Sequence, residues 1–220
     1  MKRIKLADRD LPRYSRGEEI MNMVTHIVGG GIAILGTVAC LIRSDSAIDR
    51  LGALVYCISM IALYTVSSIY HGLRPVSAKK VMQVIDHCTI YFLISGTYTP
   101  ILLTGFVPDY PGIGWVLLAA QWGLCAVAVT LTAIDLKAYN VFSMICYIAM
   151  GWSIIIFLPQ CLQVMTAPGF TLLLSGGIAY TVGAVLYGMG VKLRWMHSVF
   201  HIFVVLGSLL QLLSILIYVL

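Results

Sequence analysis

Residues 138–191 read AYNVFSMICYIAMGWSIIIFLPQCLQVMTAPGFTLLLSGGIAYTVGAVLYGMGV, with no Lys, Arg, Asp or Glu between Lys137 and Lys192. Each crossing of a bilayer's hydrocarbon core needs roughly 20 apolar residues of helix, so this run is long enough for two. The rest of the chain has the same character. Of its 220 residues, 60% are apolar and 10% charged, against about a quarter charged in a soluble domain. Mean hydropathy is +0.95. The length suggests one domain, and no polar Pro/Ser-rich linker divides it.

Working outward, charges and turn residues separate seven helices, expected at 18–42, 50–72, 82–106, 113–134, 139–158, 169–191 and 195–219. The breaks are Arg43 to Arg50, Arg74-Pro75 with Lys79-Lys80, Pro108 to Gly112, Asp135 to Lys137, Pro159 to Gly169, and Lys192 to Arg194. A helix satisfies its own backbone in lipid, and the alternating pattern of a barrel is absent. Twelve of the fourteen Lys and Arg residues lie in the leader or in the loops after the second, fourth and sixth helices. That asymmetry puts the N-terminus in the cytoplasm and the C-terminus outside. The expected fold is thus an all-α membrane protein, with a basic cytoplasmic leader (1–17) and a seven-transmembrane-helix bundle (18–220). The first span is too long for a signal-peptide core and lacks a small-x-small cleavage site, so it is expected to remain as helix one.

The net charge of +5 comes largely from Lys2, Arg3, Lys5, Arg9, Arg13 and Arg16 ahead of the first span. No basic surface interleaved with aromatics accompanies it, which argues against nucleic acid. The leader reads instead as a topology signal and a weak contact for anionic lipid. Cys40, Cys57, Cys88, Cys125, Cys146 and Cys161 are scattered without a Cys-x-x-Cys, as buried small side chains rather than a disulfide framework. Gly29-Gly30-Gly31 with Gly36, Gly176-Gly177 with Gly183, and Gly188 with Gly190 suit close helix packing. Pro100 is expected to loosen the third helix and free a carbonyl near Gly96.

The five histidines, His26, His71, His87, His197 and His201, all fall near helix ends on the cytoplasmic side of this topology. His197-x-x-x-His201 puts two imidazoles on one helical face, a turn apart, where they can hold one ion. Alone the pair is weak evidence, since interfacial histidines also hydrogen-bond to headgroups. Ser67-x-x-x-His71 repeats the spacing. Asp86 is an acid well inside a predicted span, where ionised groups are expensive and mark function; the structural alternative pairs it with Lys79 or Lys80. Glu19, Asn22 and His26 share one stripe of helix one, either as support for the site or as acids favoured at a helix start. Three imidazoles and an open fourth position would describe a catalytic zinc, with Asp86 orienting or deprotonating its water. Iron and manganese stay open, although the imidazole-rich, thiolate-free set favours Zn2+.

Glu19-x-x-Asn22-x-x-x-His26, Ser67-x-x-x-His71, Asp86-His87 with Gly96-Thr97-Tyr98-Thr99-Pro100, and His197-x-x-x-His201 together resemble the hemolysin III family. The resemblance covers essentially the whole chain. That family is grouped with the progestin and adipoQ receptors and the alkaline ceramidases. The resemblance implies that His71, His197 and His201 are zinc ligands, with Asp86 holding the zinc water and Ser67 supporting the site. His87 is then expected around the site rather than on the metal, together with Glu19, Asn22 and His26.

Two functions follow as expectations. One is a zinc-dependent hydrolase of a lipid amide or ester in the bacterial plasma (inner) membrane, linked to membrane lipid homeostasis. The other is a zinc-stabilised, non-catalytic sensor or regulator of bilayer properties. A membrane lipid is the expected substrate or ligand in either case. A pore or a transporter fits less well, because a conduction path needs polar residues at every depth.

Overall fold

The computed structural model describes residues 6–220; Lys2, Arg3 and Lys5 of the leader lie outside the described residues. Serine caps start the first two long helices. Ser15 opens α1 (Arg16–Arg43) and Ser46 opens α2 (Ala47–Gly72). In each, the serine hydroxyl accepts the backbone N–H three residues on. The acid there, Glu18 or Asp49, accepts the N–H of the cap in return. α3 (Val76–Pro100) begins after Pro75 and widens at Pro100 into a π-helical turn, Ile101–Phe106, that ends at Val107–Asp109. The missing N–H of Pro100 is the reason for the change of pitch at that point. There follow α4 (Pro111–Ile134), α5 (Asn140–Trp152), a 3-10 turn (Ser153–Phe157), α6 (Leu158–Met189) and α7 (Met196–Tyr218).

Among the described residues there is no strand, and six helical runs are long and apolar enough to cross a membrane. The expectation was seven separate helices. The difference lies in the stretch quoted first, because Asn140–Met189 forms one run of 50 residues. The loop expected at Pro159 to Gly169 is helical except at Thr166, where φ is 61° and ψ 169°. Pro159 sits in the first turn of α6, where its lack of an N–H is harmless, so it starts a helix rather than ending one.

The run is nevertheless folded back on itself. Trp152 Nε1 donates to Thr181 Oγ1 at 3.0 Å, whereas 29 residues of straight helix would hold them about 43 Å apart. Thr166 lies midway between the two. Both ends of the run return to the same end of the bundle. Tyr147 donates to the His87 carbonyl at 2.9 Å, and Gly190 abuts the backbone of His197.

The helices close into a ring: α1 packs on α2, α2 on α3, α3 on α4 and α5, α6 on α7, and α7 on α1. α3 is the most buried span. The polar groups in the interior are paired across helices, as an apolar solvent requires. Tyr64 of α2 donates to Ser208 Oγ of α7 at 2.6 Å, Tyr180 of α6 meets the same hydroxyl at 2.6 Å, and Tyr56 donates to the Ser208 carbonyl.

The Gly29-Gly30-Gly31 cluster does one part of this packing. A Cβ at Gly29 would lie 2.6 Å from the Tyr64 ring, while one at Gly31 would meet nothing within 4 Å. Gly29→Ala is therefore expected to lower stability by about 1–3 kcal/mol. Gly31→Ala is expected to be neutral or to raise it by up to about 1 kcal/mol. Thermal melting of the two purified variants beside the parent checks the contrast.

Candidate metal centre

His71 occupies the last turn of α2, and His197 and His201 the first turns of α7. All three are buried, and one ring nitrogen from each lies within 4.8 Å of the others. The Nε2 atoms of His197 and His201 face each other at 3.1 Å. Tetrahedral coordination at about 2.0–2.1 Å sets ligand nitrogens about 3.3 Å apart. The pair already meets that spacing, and at most about 1.5 Å of closure brings in the third. No cysteine enters the cluster.

The proton on His71 is set by its neighbour. His71 Nδ1 lies 2.7 Å from Glu19 Oε2, so Nδ1 carries the hydrogen and Nε2 keeps its lone pair. Nε2 is buried and has no hydrogen-bond partner among the described residues. A buried lone pair without a donor, aimed at two other imidazoles, is what a ligand atom looks like before its ion is drawn in. These residues can hold a metal ion. Glu19 is itself held, since Lys79 Nζ lies 2.8 Å from Oε1 and also donates to the carbonyls of His71 and Leu73.

Two further contacts place α7 against α1. The Ser198 hydroxyl donates to Asn22 Oδ1 at 2.6 Å. The backbone N–H of Trp195 donates to Glu18 Oε1 at 2.7 Å. Trp195 has φ 67°, a left-handed conformation uncommon outside glycine, and it stands two residues before the first ligand of α7. Across the same end lies the leader. The Tyr14 ring stacks on His197 with centroids 4.8 Å apart, and Arg9 Nη2 donates to the Ile134 carbonyl at the end of α4.

Beside the histidines opens a cavity of about 180 Å³. Ser67, Asp86, His87, His197 and His201 line one end, and apolar side chains such as Ile101, Ile154 and Phe170 line its continuation through the bundle. Ser67 and Asp86 lie side by side on this wall. His87 Nδ1 donates to the Gln83 carbonyl at 2.8 Å, which leaves Nε2 to accept from the Tyr187 hydroxyl at 3.3 Å.

A family profile described as Haemolysin-III related matches residues 14–212. The chain belongs to that family. It is 35% identical to Hemolysin-3 of Bacillus cereus, over 92% of both chains. It is 33% identical to the Hemolysin-3 homolog of Bacillus subtilis, over 91% of this chain and 94% of that one. More distantly, it is 26% identical to the human monocyte to macrophage differentiation factor, over 85% of this chain and 78% of that protein. With its apolar helices, membership of the haemolysin-III family makes this a multi-pass plasma-membrane protein.

Three of the four motifs converge on this one end of the bundle, while Gly96 to Pro100 packs farther along, against Ser59 and Gly52 of α2. Along the stripe, Glu19 meets His71, Asn22 meets both His71 and Ser198, and His26 stacks on the ring of His201. Asp86 faces Ser67 and the cavity, while Lys79, one of its two suggested partners, is engaged with Glu19. His87 meets Tyr187 and stands apart from the three-nitrogen cluster. Sequence reasoning missed Glu18, Tyr14, Ser198 and Tyr187, and it gave Lys79 the wrong carboxylate. Only Glu18 carried a readable signal, the capping box Ser15-x-x-Glu18. The others become visible once α1, α6, α7 and the leader are brought together.

A carboxylate behind a ligand histidine tunes its basicity and fixes its ring, and its loss typically costs 10–100-fold in metal affinity. Glu19→Ala is accordingly expected to weaken divalent-ion binding by at least about ten-fold, read by competitive titration with a metallochromic chelator.

Proposed function

We propose that this haemolysin-III family member is a zinc-dependent hydrolase of a lipid amide or ester. The observation that carries the reading is the unpartnered, buried Nε2 of His71 facing the Nε2 pair of His197 and His201, at the polar end of an apolar cavity. Three imidazoles and no thiolate favour zinc over softer or harder ions. A zinc ion held there supplies Lewis acidity and activates water at neutral pH.

The chain's own residues supply the rest. Asp86 faces the cavity and accepts the proton of the attacking water, then returns it to the departing amine or alcohol. Ser67 of α2 stands beside Asp86. Glu19 keeps the His71 proton on Nδ1. The apolar walls take an acyl chain and exclude bulk water, so the carbonyl carbon is delivered to the polar end. The substrate enters from the bilayer.

In the same reading, the hairpin at Thr166 makes Asn140–Met189 cross twice. The chain then spans the membrane seven times, with the N-terminus and the histidines on the cytoplasmic side and the C-terminus outside. The excess of Lys and Arg at the histidine end supports this orientation.

A second reading is non-catalytic, with a zinc ion that ties α2 to α7 and stabilises a regulator of bilayer properties. It is favoured by the way the ligands join two helices far apart in sequence. One set of variants separates the two. His71→Ala and His197→Ala are expected to lose zinc from the detergent-purified protein, measured by elemental analysis. Asp86→Asn is expected to keep the zinc and lower hydrolysis of a lipid amide or ester panel by at least about 100-fold. Zinc retained in both histidine variants would overturn the metal assignment. Unchanged turnover in Asp86→Asn would remove the catalytic role.

A further inference from the structure

We infer that Gln211 hydrogen-bonds a hydroxyl carried partway along the chain of the lipid in the cavity, so that the ligand is a lipid with a hydroxylated acyl chain. This rests on the proposed reading for a lipid whose carbonyl lies at the histidine end, not for its hydrolysis. Gln211 follows His201 by ten residues on the unbroken helix α7, which sets it about 15 Å farther along the axis. Both residues line the same cavity. Exposed Ile202, Leu206 and Ile217 mark the outer face of α7, and at 3.6 residues per turn Gln211 falls on the side away from them. Its side chain runs toward α6, where a Cβ on Gly176 would lie 2.6 Å from Gln211 Cγ.

The hydroxyls along this apolar reach of the cavity are already engaged. Thr97 donates to the Leu93 carbonyl, Tyr98 to that of Gly151 and Thr181 to that of Gly177, while Tyr180 meets Ser208. Gln211 differs. It is half-buried, its amide makes no hydrogen bond among the described residues, and neither amide atom is shut off from the cavity. An unmet amide among apolar walls is costly, so its partner comes from whatever fills that space.

The chemistry of the partner can be narrowed. A primary amide presents N–H donors and an acceptor oxygen; a hydroxyl matches both, and a plain methylene chain matches neither. Asp86, at the histidine end, is the one Lys, Arg, Asp or Glu among the described residues that line the cavity. The group at Gln211 is therefore uncharged. A distance of about 15 Å is half of a bilayer's hydrocarbon core, within the reach of one extended acyl chain. A carbonyl at the histidines and a hydroxyl at Gln211 thus fit on a single chain. A trapped water is the remaining partner, and the experiment distinguishes it.

The test is binding of N-stearoylethanolamine and of its analogue hydroxylated on carbon twelve to the full-length protein in nanodiscs, corrected for uptake by empty discs. Zinc content and product release are followed on the same samples. The parent is expected to bind the hydroxylated probe about ten-fold more tightly than the plain one. Gln211→Met, similar in length and apolar, is expected to erase that preference with zinc and the affinity for the plain probe unchanged. A hydroxyl on carbon seven falls short of Gln211 and is expected to bring no gain in the parent. Equal binding of the plain and carbon-twelve probes by the parent would assign the amide to water and overturn the inference. A preference that survives in Gln211→Met would also overturn it, because the hydroxyl is then read elsewhere. Should that variant not fold, an equal gain from carbon seven would have the same effect. Binding of neither probe beyond empty discs would end both this inference and the reading of the cavity as a lipid site. The expected preference without product release would sink the hydrolase reading alone.

Discussion

The contact between Glu19 and Nδ1 of His71, at 2.7 Å, governs what the polar end of the bundle can do. It joins the first turn of α1 to the last turn of α2 and directs the lone pair of His71 toward α7. An isolated carboxylate in this setting would be costly. Here the His71 ring and the Lys79 ammonium share the charge, and Lys79 in turn is held by two carbonyls at the end of α2. Each polar group is supported by the next, so removing one leaves its neighbour buried and unmet.

The rest of the architecture keeps α7 in register with that pair. Helices in lipid gain little from burying apolar area against one another, so interhelical hydrogen bonds and close contacts of small residues set their positions. Ser198 on Asn22 and the Trp195 N–H on Glu18 fix the histidine end. Farther along, Tyr64 and Tyr180 converge on Ser208, and Gly29 lets α1 approach the Tyr64 ring. The cavity lies among these contacts, lined by α3, α5 and α6 and also by His197, Phe200, His201 and Val204 of α7.

The leader adds a cover. Tyr14 lies over His197, and Arg9 reaches the Ile134 carbonyl that ends α4, where the negative end of the helix dipole favours a cation. Beneath this cover the cavity continues among apolar side chains.

The sequence by itself determined the class, the helical segments and the depth of the chemistry. A composition of 60% apolar residues leaves helices as the main solution in lipid, and one-turn spacing puts His197 beside His201 whatever the fold. Local signals failed where the outcome depended on a distant partner. Pro159 and Gly169 read as a loop, yet backbone pairing continues through them, and the reversal within that stretch is concentrated at Thr166, with Trp152 and Thr181 brought together across it. The orientation of His71 and the alliance of Lys79 with Glu19 rather than Asp86 were decided only by tertiary structure. Each depends on which side chains from α1, α2 and α7 arrive within about 3 Å of one another, and that proximity is a property of the closed ring and of no single helix.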